Sequence, residues 1–150
     1  MAGRKGSYAS LAIQTAIGGV IMYLVMFVMI DGLDSFYNNL NMLYMTLMMV
    51  APMVVLMIVA MKDMFPNRRA NVVILGLSVV AFAGSFALIR TQTTIGDTAF
   101  LRSMIPHHSG AILMCREAKL ENPEVIRLCA NIIKSQRQEI DQMKTILARG

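Results

Sequence analysis

The residues of this chain best suited to chemistry form one short string, Met104-Ile105-Pro106-His107-His108, and its two histidines are the only two in 150 residues. Thioether sulfur beside imidazole nitrogen suits a soft transition metal, Cu(I) above all. The same residue types have plainer uses. Methionine at helical spacing is usually core filler, and a single helical histidine is more often structural than a ligand. Two adjacent histidines, with a methionine three residues before the first, favour metal. No Glu-x-x-His pair accompanies them, so a di-iron bundle centre is not expected. No Ser/His/Asp order or glycine-rich phosphate loop is present either, and we expect no enzyme.

Two helices must position these groups. The first starts at Thr94-Ile95-Gly96-Asp97, a capping-box-like sequence in which Asp97 reads as a cap more than a ligand, and runs to about Leu120. Asn122-Pro123-Glu124 opens the second: asparagine cap, proline at the first position, acid at the positive end. Val125, Cys129, Ile132, Ile133, Ile140, Met143 and Leu147 then recur at helical spacing to about Ala148. A connection of two or three residues folds the pair back antiparallel. At about 100° per residue, Phe100, Met104, His107, His108, Ala111, Met114, Cys115 and Ala118 share a broad face, while Ser109 and Arg116 turn away. Pro106 removes one backbone bond and re-aims the two rings.

With the turn near residue 122, Cys115 comes level with Cys129, His108 with Gln136 and Met104 with Ile140. The expected cluster is Met104, His107, His108, Gln136, Glu139 and Met143. Glu139 is either a solvated residue or a partner that orients a histidine. The cysteines form either a disulfide, the favoured reading in an oxidising compartment, or a separate thiolate site. Cys115 lies about 10 Å along the axis from His108, too far for one tetrahedral zinc centre with both.

Ahead of this hairpin lies an apolar region. The chain is 56% hydrophobic and 15% charged, too apolar for a soluble domain of its size. Residues 9–30, 40–61 and 72–89 carry no charge, and each is long enough to cross a hydrocarbon core. The first is read as an uncleaved anchor, because its apolar run exceeds that of a signal peptide and ends in Met29-Ile30-Asp31. Arg4 and Lys5 before the first span, and Lys62, Arg68 and Arg69 after the second, place the N-terminus and second loop inside. The loop with Asp31 and Asp34 and the C-terminal domain are then outside, facing the periplasm, on a cytoplasmic membrane. Arg90 snorkels at the outer edge. The division is a three-span anchor over 1–90 and a hairpin over 91–150.

The pI near 9.6 comes from topology-setting cations and a mixed-charge tail, with neither a basic run nor an aromatic platform, so nucleic acid is not a partner. Pro52 should kink the second span. Twelve of the 15 methionines lie in residues 1–90, with Met45, Met49, Met53, Met57 and Met61 at i, i+4 spacing. We read these as packing rather than a copper path, because no charged residue or histidine marks a route. Gly18, Gly19, Gly76 and Gly84 permit close helix contacts in lipid.

The tail resembles the domain of unknown function 305 family. Its pattern is an aspartate and a phenylalanine, then Met-Ile-x-His-His, a further methionine, and a second helix ending Gln-x-x-Glu-Ile-x-x-Met. Here these are Asp97, Phe100, the string 104–108, Met114, and Gln136 through Glu139 and Ile140 to Met143, within residues 94–148. The resemblance implies a ferritin-like bundle, often secreted or membrane-tethered, with copper binding and copper tolerance. It carries ligand roles onto Met104, His107, His108, Met114 and Met143. This chain departs by having a single hairpin, so a full bundle needs a second chain, and by adding Cys115 and Cys129. The expectation is therefore an all-α membrane protein with a half-bundle completed by homo-oligomerisation. It would buffer copper or hand it on to a transporter, chaperone or larger membrane complex. The alternative is an accessory subunit of a membrane complex without metal.

Overall fold

The computed structural model describes the backbone from Gly3 to Arg149 and the side chains from Tyr8 onward; the side chains of Arg4 and Lys5 lie outside the described residues. All regular structure among the described residues is helical: α1 (Gly3–Val25), α2 (Leu40–Ala60), α3 (Arg68–Thr91), α4 (Asp97–Glu117) and α5 (Pro123–Leu147), with short 3-10 turns between. The chain divides into two compact units, one of residues 1–25 and 41–94, the other of residues 26–40 and 95–150.

The first unit holds the apolar helices. Three stretches, Tyr8–Met29, Leu40–Ala60 and Arg68–Thr91, are long and apolar enough to cross a membrane, yet only 11%, 22% and 11% of them is buried within the protein. Outward residues such as Val80, 68% exposed, would be costly in water and are at home in hydrocarbon. Leu11, Val54, Ile58 and Phe65 form a small core, with Tyr8, Val50, Met57, Ile74 and Leu75 against it. Helical hydroxyls bond their own backbone, Thr46 to the Met42 carbonyl and Ser78 to that of Ile74.

Polar latches tie the helix ends. Tyr8 donates to Asn71 Oδ1 at 2.8 Å, Asn71 donates to the Phe65 carbonyl at 2.7 Å, and Asn67 caps α3. Asn41 and Gln92 exchange amide hydrogen bonds, and the Tyr44 and Thr94 hydroxyls meet at 2.8 Å. α2 remains helical through Pro52. Gly18 and Gly19 do face α2, where an added Cβ would reach Met53 and Val50 at 3.6 and 3.5 Å. Gly76 and Gly84 do not mediate close packing, since an added Cβ would meet nothing within 4 Å.

The second unit is an antiparallel hairpin of α4 and α5 with the segment 26–40 packed on it. Asn122 caps α5 by accepting from Glu124 N at 2.8 Å, and Pro123 occupies the first turn, as the sequence predicts. The expected cap of α4 is different. Gly96 holds the N-cap position without a side-chain bond, because the Thr94 hydroxyl is engaged by Tyr44. α4 also ends at Glu117, leaving a connection of five residues, 118–122, rather than two or three. Its helix passes through Pro106, which is buried.

Candidate metal centre

Ile105, Ile112, Ile140 and Met143 are the buried centre of the hairpin, with Leu101, Met104, Ile133, Leu147 and, from the first loop, Tyr37 against them. The first loop is held by polar ties. Asp31 N donates to Ser109 Oγ at 2.7 Å, Arg116 pairs with Asp31 at 2.8 Å, and Lys144 pairs with Asp34 at 2.6 Å. Met29 backs onto α4 at Gly110, where an added Cβ would sit 3.4 Å from its carbonyl oxygen. Ser109 was expected to point away from the packing. It is instead 1% exposed, because the loop covers the side of α4 that a two-helix reading leaves to solvent. The Lys144 ammonium, by its hydrogen bond, holds the Asp34 carboxyl below its ordinary pKa.

The two imidazoles part company at this hairpin. Their ring centroids are 6.0 Å apart and their planes 58° apart. His108 turns inward, its side chain 12% exposed, with Nδ1 3.4 Å from Glu139 Oε2. That nitrogen is buried and makes no hydrogen bond, since the carboxylate lies at ion-pair distance without hydrogen-bond geometry. Burial lowers the His108 pKa below 6.5; Glu139 opposes this and His107 adds to it. The imidazole is therefore neutral, with a lone pair available, at neutral pH. His107 faces outward and is exposed.

The sulfur residues divide in the same way. Met143 is buried and Met104, one helical turn before His108, packs against its cluster. Met114 is 53% exposed and stands apart from that cluster. Gln136 is half-buried, while Asp97 and Glu139 are exposed. Cys115 and Cys129 are joined in a disulfide with Cα atoms 5.3 Å apart, so they offer no thiolate. Among the described residues no three His, Cys, Asp or Glu side chains converge on a point that could hold an ion. The inward donors are then one imidazole, beside the Glu139 carboxylate, and thioethers, a set that suits a soft ion.

The packing of Asp31, Asp34 and Tyr37 on the hairpin escaped the sequence reading. The signal for them was charge: two acids in an otherwise uncharged loop, answered by Arg116 and Lys144 more than 80 positions later.

Residues 85–147 match a family model described as Domain of unknown function (DUF305). An uncharacterized protein of Acanthamoeba polyphaga mimivirus is 35% identical over 111 residues, covering 73% of this chain and 71% of the viral protein. That stretch is longer than the family domain, so the likeness reaches into the apolar helices upstream. No solved structure gives a significant match.

Proposed function

The chain belongs to the DUF305 family, and we propose that it is a membrane-tethered metal-binding protein whose hairpin holds copper, as Cu(I) in preference, for buffering, tolerance or hand-on. The observation that carries this reading is the inward His108, whose Nδ1 faces the Glu139 carboxylate at 3.4 Å and so leaves Nε2 as the lone-pair nitrogen, one turn of α4 beyond Met104. A carboxylate on one ring nitrogen fixes the tautomer and leaves the other to donate to a metal ion. The residues fit a soft ion in part: His108 with Met104 and Met143 would hold it on the inner side, while His107 and Met114 are turned outward. A soft thioether and imidazole set favours the reduced ion, and loss of an electron would leave the imidazole as the preferred donor.

The proposed setting is the cytoplasmic membrane, with the N-terminus inside and the hairpin on the outer, periplasmic face. The charge distribution supports it, with Lys62, Arg68 and Arg69 in one loop against Asp31 and Asp34 in the other. A disulfide suits the oxidising side. The recipient of the copper would be a transporter, a chaperone or a larger membrane complex. No enzymatic role is proposed.

The test is an anaerobic Cu(I) titration of the purified full chain, wild type against His107→Ala/His108→Ala, with copper analysis after dialysis. The wild type should retain copper and the double variant should lose it. Equal copper in both ends the proposal. Stoichiometric co-purification with a membrane partner and no metal would favour an accessory subunit instead.

A further inference from the structure

We propose that a second copy of this chain packs along the Phe100–His107–Met114 line of α4 and that the two His107 imidazoles meet there as a shared, intermolecular metal site. The inference rests on the metal-binding reading above and extends it to the half of the donor set that faces outward.

Seven residues are nearly two helical turns, so positions spaced by seven fall almost on one line. Phe100 and Met114 are each seven residues from His107, and all three are exposed, the outer two by 50% and 53%. On the same helix Ile105 and Ile112 are buried. α4 thus carries two large apolar side chains, Phe100 and Met114, on a line that its own hairpin does not cover. From Ser103 to Cys115 it carries no charged side chain. A second copy meets no like charge there, and a charged partner finds nothing to pair with.

The line is symmetric about His107, and self-association through a two-fold axis needs a self-complementary patch. If the two α4 helices run antiparallel, Phe100 meets the partner's Met114, a favourable sulfur–aromatic contact. If they run parallel, like meets like as at one position of a heptad. In both arrangements His107 meets the partner's His107. Spanning helices would confine the copies to one plane, which raises their effective concentration. A single copy, by contrast, has its two rings 6.0 Å apart with planes 58° apart, and uses only one on the inner side.

The full chain in mild detergent provides the test. His107→Cys, with the native cysteines left in their disulfide, is treated with a short bis-maleimide, and Gln138→Cys, exposed on α5, is the control. We expect a covalent dimer from the first and loss of that band in the second. The mass by light scattering should be that of two chains, falling to one in Phe100→Glu with helicity unchanged. Copper per chain should drop in His107→Ala while the dimer persists. A monomeric wild type, with His107→Cys linking no faster than Gln138→Cys, overturns the interface even if copper binds. A dimer that binds no copper overturns the metal-binding reading and the shared site with it. A dimer whose copper is unaffected by His107→Ala overturns the shared site alone.

Discussion

Adjacent residues on a helix turn through about 100°, so two neighbouring histidines can share a broad face and still be divided by the packing. The string 104–108 announces the chemistry, but only the packing assigns inner and outer roles. His108 goes inward, where α5 brings Glu139 to it, and His107 is left exposed. Burial keeps His108 neutral and lowers its pKa, with Glu139 opposing. The sign for stability follows. The unfolded chain takes up the proton near pH 6.5 and the folded chain resists it, so this contribution is complete above pH 6.5 and is lost as pH falls towards the lower folded value. Metal-free urea midpoints at pH 7.5 and about pH 5 should show the loss in the wild type and less of it in His108→Gln. An equal loss in both would assign the effect to other groups. Met143→Leu separates filler from ligand. A near-isosteric swap costs under about 1.5 kcal/mol of stability, whereas copper affinity should fall clearly in the same titration.

At the scale of elements, what could be read early was local. Asn122-Pro123 carries its own signal, and α5 begins where that signal says. The facing of Cys115 and Cys129 followed from helix spacing and a short turn, and the two are bonded. The side of α4 around Ser109 was not legible, because its partner Asp31 is 78 positions away in a loop without regular structure. The cap at Thr94 failed for a similar reason, since the hydroxyl finds Tyr44, 50 residues back. The hairpin core is small, so each member matters. Ile105 is fully buried, and Ile105→Ala should lower stability by about 2–5 kcal/mol in chemical denaturation. A loss below 1 kcal/mol would mean that the hairpin is held mainly by its other contacts. The disulfide closes a short loop of sequence separation 14. Chain-entropy reasoning gives about 3 kcal/mol for a loop of that size, so Cys115→Ala/Cys129→Ala should lower the melting temperature of the hairpin measurably.

At the scale of the whole chain, composition was enough for the three apolar helices, because length and absence of charge settle what hydrocarbon accepts. Composition did not reveal that residues 26–40 belong with the hairpin rather than with the anchor, a grouping made by Asp31, Asp34 and Tyr37 one contact at a time. The membrane methionines face several ways: Met57 packs in the small core while Met45, Met49 and Met61 are exposed. Replacing Met49, Met53 and Met57 by leucine should leave copper tolerance unchanged, and a loss of tolerance would revive a thioether path through the bilayer. The exposed connection 118–122, which contains Lys119, lies between the two bonded cysteines. A trypsin nick after Lys119 would leave the polypeptide in two pieces that still migrate together, and only a thiol reagent would let the C-terminal fragment go free.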